Sequence, residues 1–321
     1  MLHLASACRS ISTASLSDSD EAAEMLRQAD ARWSMTLHQN ALPITFLYTL
    51  PSPTMLAPLP RLRLLSVLLL ALTLASFSRL LRPRPTLYLI GDSTVKNGKG
   101  RGDGGLWGWG NFLAAQFDTT RIQVENDALG GTSSRTFRTL GLWEKVQAKL
   151  QPGDYVIMQF GHNDSSPVND TLRARGTIKG TGSETEQIDN LLTKKPETVH
   201  SYGWYLRQFI AETRAKGATP IVCTLVPRNQ WTSGKVNRST DGYAGWAATV
   251  AREENAPLID LNQRAADRYD QAGETAVRAT YFNTTDHTHT IEAGARLNAE
   301  LVADGIRSLK RLPLRKYLRK R

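Results

Sequence analysis

The sequence predicts an α/β fold built around a parallel sheet, and two patterns carry this prediction. Five short apolar runs with little alternation are typical of strands buried on both faces. These runs are Thr86–Ile90, Ile122–Glu125, Tyr155–Phe160, Pro220–Val226 and Pro257–Leu261. Segments with helical spacing of apolar residues lie between or after them, at Phe137–Leu150, Thr198–Lys216, Tyr243–Glu254 and Ile291–Leu309. Because strand and helix alternate along the chain, we expect parallel strands joined by right-handed crossovers.

The positive charge of the chain is concentrated in its flanks. The 321 residues carry a formal net charge of +10. Residues 55–84 contribute +5 and residues 307–321 contribute +8, whereas residues 1–54 contribute −2. This leaves −1 for residues 85–306, so the body of the protein is nearly neutral. We therefore expect no basic nucleic-acid-binding face on the folded domain, and no nucleic-acid partner.

The N-terminal flank contains the pattern of a signal peptide. Residues 64–78 form an uncharged apolar run of 15 residues that follows Arg63 and ends in small residues. This run is shorter than the 20 or so residues that span a bilayer. Because a complete leader would begin at Met55, we expect residues 1–54 to be a spurious or disordered extension and 55–84 to direct export. A genuine cytoplasmic extension before an uncleaved membrane anchor is the alternative.

Two polar segments fall outside the predicted strands and helices. Residues 165–197 follow the third strand and are rich in Gly, Ser, Thr, Asn and charge. We expect this long loop to wall the ligand cleft, with Asp164 tying it down. We expect the basic tail, residues 310–321, to be a disordered, solvated end. Contact of the tail with anionic lipid or polysaccharide is the alternative.

Polar turns follow the first three predicted strands. Gly91–Thr94 places Ser93 just past the first strand, a good position for a nucleophile, and Asp92 beside it can bond local backbone. Gly131 follows the second strand, where backbone N–H groups can face a developing oxyanion. Asn163 follows the third strand and brings a side-chain amide to the same sheet edge. Each motif alone is also ordinary turn chemistry.

A carboxylate and an imidazole lie three residues apart near the C-terminus. Asp286 and His289 can meet across one turn, so that the acid orients the base. His287 and His289 are spaced like a pair of metal ligands, but no third ligand group accompanies them, so we expect no metal. We expect His287 to be a packed structural histidine, with a contact to substrate as the alternative.

Together these motifs resemble those of the SGNH (GDSL-type) hydrolases, and most closely the rhamnogalacturonan acetylesterase branch. The resemblance covers residues 86–309 in order and places a hydrolase domain at residues 85–309. The matching blocks are Gly91–Thr94, Asn126–Thr136, Gly161–Asp164 and Asp286–His289.

The resemblance implies a flavodoxin-like three-layer α/β/α sandwich with a five-stranded parallel sheet. It makes Ser93 the nucleophile, His289 the base and Asp286 the group that orients this base. The oxyanion hole would combine the backbone N–H groups of Ser93 and Gly131 with the side chain of Asn163. No cofactor is implied.

The resemblance and the leader together point to an exported esterase that removes acetyl groups from an acetylated plant polysaccharide, with pectic rhamnogalacturonan as the leading substrate. Acetylated xylan, small acetyl sugars, or a non-catalytic carbohydrate-binding envelope protein on the same fold are the alternatives. An uncleaved leader or the basic tail would associate the protein with a membrane. Several tryptophans near predicted strand ends stack on sugars or pack in the core: Trp107, Trp109, Trp204 and Trp231.

Overall fold

The computed structural model of the protein describes residues 84–320. The predictions for the N-terminal extension (1–54) and for the signal peptide or anchor (55–84) lie outside the described residues, apart from Arg84. Within the described part, no helix is both long and apolar enough to cross a membrane.

The predicted alternation of strands and helices is present. In chain order the strands are β1 (Thr86–Gly91), β2 (Leu106–Trp107), β3 (Gln123–Asn126), β4 (Tyr155–Gln159), β5 (Thr185–Asp189), β6 (Pro196–His200), β7 (Thr219–Cys223), β8 (Trp231–Thr232), β9 (Lys235–Val236), β10 (Leu258–Ile259) and β11 (Thr290–Ile291). The α-helices are α1 (Gly110–Leu113), α2 (Ser134–Thr139), α3 (Leu142–Lys149), α4 (Tyr202–Ala215), α5 (Tyr243–Glu253), α6 (Leu261–Ala272), α7 (Glu274–Tyr281) and α8 (Glu292–Ser308).

The central sheet has five parallel strands in the spatial order β10-β7-β4-β1-β3. In this register Leu87 of β1 lies opposite Tyr155 of β4 on one side and Val124 of β3 on the other. This is the strand order of a flavodoxin-like sheet, in which the direction of winding reverses at β1. Because ligands bind at the carboxyl ends of the strands next to such a reversal, the topology places a cleft at the end of β1.

Two hydrophobic cores lie on opposite faces of the sheet. Leu87 and Leu89 of β1 belong to the core that includes apolar residues of α6 and α8. Tyr88 and Ile90, on the alternate positions, belong to the core that includes residues of α3, α4 and α5. Because successive side chains of a strand point to opposite faces, the buried strand β1 contributes side chains to the core beneath each helical layer. The predicted three-layer α/β/α sandwich is confirmed.

Two predicted helices differ from those observed. The segment predicted as one helix over Phe137–Leu150 is divided into α2 and α3, because Gly141 between them has a φ of +69°. The helix predicted from Thr198 begins later, at Tyr202, where the side chain of Ser201 accepts a hydrogen bond from the Trp204 amide (3.1 Å). The preceding residues instead form β6, which pairs with β5 in an antiparallel hairpin. This hairpin occupies the end of the long polar loop.

The basic tail packs against the domain, so the expectation of a disordered, solvated end is wrong for residues 310–320. Leu314 is fully buried within the 3₁₀ turn Pro313–Tyr317. Leu318 pairs with Phe117, and Nε of Arg319 donates to the Phe117 carbonyl at 2.9 Å. Charge composition misled because two buried leucines, Leu312 and Leu314, lie between the cations of the tail. The folded domain extends past the predicted boundary at residue 309.

Candidate active site

Ser93 lies in a tight turn directly after β1. The turn is closed by the Val95 amide, which donates to the Asp92 carbonyl at 3.1 Å. Gly91, the last residue of β1, has no room for a side chain, because a Cβ there would lie 2.5 Å from the Gln159 carbonyl oxygen. The glycine therefore lets the chain turn while β1 remains beside β4. The result is a serine hydroxyl at the carboxyl edge of the sheet.

Ser93, His289 and Asp286 form one continuous series of hydrogen bonds. Nε2 of His289 lies 2.8 Å from Oγ of Ser93, and Nδ1 lies 2.7 Å from Oδ2 of Asp286. Because an ionised carboxylate only accepts, Nδ1 carries the proton and Nε2 is left to accept from the serine hydroxyl. The structure thus brings together three side chains that the sequence places at three separate positions.

The Asp286 carboxylate is fixed by its own turn. Oδ1 accepts hydrogen bonds from the amides of Thr288 (2.7 Å) and His289 (2.9 Å), while Oδ2 faces the imidazole. Partial burial opposes the charge, but the bonds from the His289 amide and ring and from the Thr288 amide outweigh it. They hold the pKa of Asp286 below its ordinary value. The carboxylate is therefore ionised and oriented toward the histidine at neutral pH.

The predicted oxyanion donors line the same cleft as the serine hydroxyl. Gly131 has a φ of +87°, a left-handed conformation that favours glycine. Asn163 is buried, and its Nδ2 donates to the Thr132 carbonyl at 2.8 Å. A primary amide has two N–H groups, so one remains for a bound ligand. Ser93, Gly131 and Asn163 all border one cavity.

Two buried aspartates shape the backbone beneath the cleft. Asp164 accepts hydrogen bonds from the Gly161 amide (3.0 Å) and from the amide (3.1 Å) and hydroxyl of Ser134. Burial, reinforced by the nearby charge of Asp92, raises the pKa of Asp164 to about 7. Burial also raises the pKa of Asp92, whose Oδ1 accepts from the Thr94 amide at 2.8 Å. Asp92 bonds local backbone, as the sequence predicts. The Asp164 side chain bonds Gly161 and Ser134 rather than the long loop, and it is the Asp164 backbone carbonyl that accepts from the loop, from the Thr177 amide at 3.1 Å.

Three arginines line the cleft, which has a volume of about 720 Å³. Arg175 donates to the Gly131 carbonyl at 2.8 Å, Arg228 donates to the Thr288 hydroxyl, and Arg173 lies beside Arg175. Burial and the positive charge of Arg173 lower the pKa of Arg175. Among residues 84–320, none of the three forms an ion pair, and no Asp or Glu lines the cleft. The cleft is electropositive although the body of the protein is nearly neutral.

The loop that carries two of these arginines is anchored by a buried ion pair. Arg135 of α2 is fully buried and forms a bidentate pair with Glu197 of β6, at 2.7 Å and 2.6 Å. Its remaining nitrogen donates to the carbonyls of Val168 (2.7 Å) and Gly176 (2.9 Å), both in the loop. One guanidinium therefore links a helix, the β5–β6 hairpin and the loop. Residues of this loop wall the cleft, as the sequence predicts.

One sequence interpretation near the site is corrected, and for the tryptophans the alternative of stacking on sugars in this cleft finds no support. His287 is exposed rather than packed, and its backbone carbonyl accepts from the Asn229 amide at 2.7 Å. The tryptophans of the described region do not line the cleft. Trp109 is buried, with its indole nitrogen 2.8 Å from Oε1 of Gln159. Within residues 84–320, no group of three or more His, Cys, Asp or Glu side chains is placed to hold a metal ion.

The sequence reasoning missed the arginines and the buried ring of His162, which also lines the cleft. A signal for two of them is present, since Arg173 and Arg175 are closely spaced in a loop that follows a strand end. Arg228 gives no such signal, because it lies beyond β7 and reaches the site only through the sheet order. His162 lies inside the Gly161–Asp164 motif, but a single histidine in a turn indicates no particular role.

A flavodoxin-like sheet that carries a serine, a histidine and an aspartate at its reversal point defines a class, the SGNH hydrolases. Residues 89–297 match the model of the GDSL-like Lipase/Acylhydrolase family, and the chain belongs to this family. It is an esterase of the branch that includes the rhamnogalacturonan acetylesterases.

Named relatives and a solved structure agree with this assignment. The chain is 34% identical over 228 residues to the probable rhamnogalacturonan acetylesterase YesY of Bacillus subtilis, covering 70% of this chain and 93% of that protein. It is 29% identical to the rhamnogalacturonan acetylesterase of Emericella nidulans, covering 67% of this chain and 82% of the relative. The crystal structure of YxiM from Bacillus subtilis superposes with a TM-score of 0.56 at 26% identity, covering 71% of this chain and 58% of that chain.

Proposed function

We propose that this protein is a serine carbohydrate esterase that removes acetyl groups from an acetylated plant polysaccharide. The observation that carries the proposal is the hydrogen-bonded series from the Ser93 hydroxyl through His289 to Asp286. Its relatives named as rhamnogalacturonan acetylesterases support an acetylated polysaccharide as the substrate.

The geometry supports a two-step acyl transfer. Oγ of Ser93 attacks the acetyl carbonyl carbon while Nε2 of His289 takes the hydroxyl proton, and Asp286 stabilises the resulting imidazolium. The N–H groups of Ser93 and Gly131 and the side chain of Asn163 stabilise the oxyanion. Collapse breaks the bond to the sugar oxygen, which leaves with the proton from Nε2. Water, deprotonated by the same nitrogen, then attacks the acetyl-serine and releases acetate and free Ser93.

Pectic rhamnogalacturonan is the substrate we propose within this class. It carries uronate carboxylates along its chain, whereas a xylan backbone is neutral. Arg173, Arg175 and Arg228 supply positive charge beside the serine, and among residues 84–320 no Asp or Glu lines the cleft or forms an ion pair with them. A guanidinium is the side chain best suited to bind a carboxylate through paired hydrogen bonds. This charge favours the pectic substrate over acetylated xylan.

The decisive experiment is acetate release by the full chain on a panel of acetylated rhamnogalacturonan, acetylated xylan and p-nitrophenyl acetate. We expect Ser93→Ala to abolish release on every substrate, and Ser183→Ala, an exposed serine, to retain it. Activity of Ser93→Ala at the wild-type rate would refute the mechanism. A wild-type preference for xylan over rhamnogalacturonan would refute the substrate assignment alone.

We also propose that the protein acts outside the cytoplasm, directed there by residues 55–84. The support is the apolar run at 64–78 behind two arginines, Arg61 and Arg63. Peptide mapping of the native protein tests this proposal, and we expect no fragment from residues 1–54. Recovery of such fragments would show that the chain begins upstream of the leader and that Met55 is internal.

A further inference from the structure

A second cavity opens beside the catalytic cleft. It has a volume of about 260 Å³, close to the lower end of the range for small-molecule sites, about 300 Å³. His162, Ser165 and Arg228 line both this side chamber and the cleft, so the two spaces share a wall. Arg228 also donates to the hydroxyl of Thr288, the residue before the catalytic histidine. The side chamber therefore adjoins the cleft that contains Ser93 and His289.

The shared wall holds a buried histidine without a protein partner of normal geometry. His162 is only 6% exposed, and neither of its ring nitrogens forms a hydrogen bond to a described residue. The Val226 backbone lies close enough to favour the protonated ring, but burial, Arg228 and His289 outweigh it and lower the pKa of His162 to about 3. A neutral imidazole offers one donor and one acceptor. The contact with Val226 leaves at least one of the two unused, which costs free energy in a buried ring, so such a group calls for a ligand or ordered water.

The other walls of the side chamber combine apolar surface with amide groups. Leu225, Val226 and Pro227 form an apolar side, while Gln230 and Asn237, both exposed, contribute side-chain amides. A sugar ring has the matching chemistry, with C–H groups on its faces and hydroxyl groups around its edge.

Two arginines line the side chamber, and only one of them forms ion pairs among the described residues. Arg238 lines it but is already paired with Asp267 and Asp270, each at 2.9 Å. Arg228 forms no ion pair among the described residues and stands where the side chamber meets the cleft. A bound group therefore meets hydrogen-bonding amides inside the side chamber and, at its entrance, the guanidinium of Arg228, which has no ion-pair partner among the described residues.

We propose that the side chamber is a binding subsite for the sugar next to the acetylated residue in the polymer, with His162 bonding one of its hydroxyl groups. The inference rests on the proposed function, since it presumes a polysaccharide chain that crosses the cleft. It makes His162 a substrate-positioning residue, and it predicts that binding improves when the substrate is long enough to reach the side chamber.

The first test uses two lining amides that make no structural contact through their side chains. We compare wild type with the double variant Gln230→Ala/Asn237→Ala on acetylated rhamnogalacturonan oligosaccharides of increasing length and on p-nitrophenyl acetate. The ratio of kcat/KM for the long oligosaccharide to that for p-nitrophenyl acetate should fall about tenfold, mainly through KM. Gln123→Ala, an exposed glutamine at the start of β3, should leave the ratio unchanged. An unchanged ratio in the double variant would overturn the subsite.

His162→Phe supplies the second test. Phenylalanine fills a similar space without polar atoms, so the variant should unfold at the same or a higher urea concentration while KM for the long oligosaccharide rises. Lower stability with an unchanged KM would show that His162 has only a structural role and would overturn its assignment to substrate.

Failure of the subsite differs from failure of the proposed function. If wild type releases acetate from no carbohydrate yet hydrolyses p-nitrophenyl acetate, the proposed function is wrong. If wild type deacetylates the oligosaccharides but shows the same KM at every length, the side chamber does not bind a neighbouring sugar.

Discussion

The two walls of the cleft are held in place by different means. On one wall, Ser93 and His289 lie on short turns whose shape comes from adjacent residues. Gly91 has no space for a side chain, and the Asp286 carboxylate binds amides within its own turn. On the other wall, Arg175 belongs to a long loop that is anchored from beneath by the buried pair of Arg135 and Glu197. Local turns fix the first wall, whereas long-range contacts centred on Arg135 fix the second.

We expect variants on the first wall to change the rate of reaction and variants on the second wall to change the binding of substrate. A change on the turn wall alters the reacting atoms and should affect every ester equally. Under the proposed function, a change on the loop wall alters charges that face the remainder of the substrate, so it should affect a polyanionic substrate and spare a small neutral ester. The variants below test this separation.

The largest effect is expected for Asp286→Asn. The amide no longer fixes the tautomer of His289 or stabilises the imidazolium, so kcat should fall by about 10⁴-fold. Steady-state kinetics should show the same loss on p-nitrophenyl acetate and on acetylated rhamnogalacturonan. Asp189→Asn, at an exposed position of β5, is the matched control. A loss confined to the polysaccharide would place Asp286 on the recognition wall instead.

Asn163→Ala removes a proposed oxyanion donor. We expect kcat to fall by about 10²–10³-fold with little change in KM, because the bond strengthens only in the transition state. Kinetics on p-nitrophenyl acetate measure this directly. A rise in KM with an unchanged kcat would contradict the assignment.

Asp164 should make stability depend on pH. Its raised pKa means that the folded protein keeps the proton, while the unfolded chain loses it above about pH 4. The free energy of unfolding therefore falls by roughly 2–4 kcal/mol as pH rises from about 4 to about 7, and this loss persists above pH 7. Urea denaturation of wild type and Asp164→Asn at about pH 4 and about pH 8 should show the variant gaining relative stability at the higher pH. If the difference in unfolding free energy between the two proteins were the same at both pH values, Asp164 would be ionised in the folded state at both.

Glu197→Gln tests the anchor of the loop wall. It leaves the buried Arg135 without its counter-charge, and since Glu197 is 18% exposed we expect a loss of about 2 kcal/mol in unfolding free energy. Urea denaturation gives this value. Glu197→Gln should retain kcat/KM on p-nitrophenyl acetate better than on rhamnogalacturonan. An equal loss of kcat/KM on both would show that the two walls are not separable.

The smallest effect concerns the loop arginines themselves. Arg173→Gln, which leaves the bond from Arg175 to the Gly131 carbonyl intact, should raise KM for acetylated rhamnogalacturonan about tenfold and weaken its dependence on salt, because Arg173 is exposed and exposed charges are screened. Acetylated xylan should be little affected. Arg268→Gln, an exposed arginine of α6, controls for net charge. Equal losses on both polysaccharides would indicate a contact other than charge.

The turn wall could be predicted from the sequence because its information is local. Ser93, Gly131 and Asn163 each follow a strand end, and parallel strands bring such positions to one edge of the sheet. Asp286 and His289 meet across a single turn. The sheet itself was predictable for the same reason, since a continuous apolar run identifies a buried strand without knowledge of its neighbours.

The loop wall was less predictable because its information is distant. Nothing near Arg135 in the sequence indicates Glu197 as its partner, and an arginine is rarely fully buried. Arg228 reaches the cleft through the order of the strands, which no local pattern reveals. The division of the predicted helix at Gly141 was missed because apolar spacing continues across the break.

The packed C-terminal segment bears on where this chain can be cut or extended. A fragment that ends at Leu309 loses Leu312 and Leu314, whose side chains are at most 4% exposed, and uncovers the surface beneath them. A purification handle joined after Arg321 begins two residues beyond Arg319, whose backbone and side chain both bond the segment before β3. Leu312 and Leu314 therefore show that residues after Leu309 belong to the folded domain, despite the many cations around them.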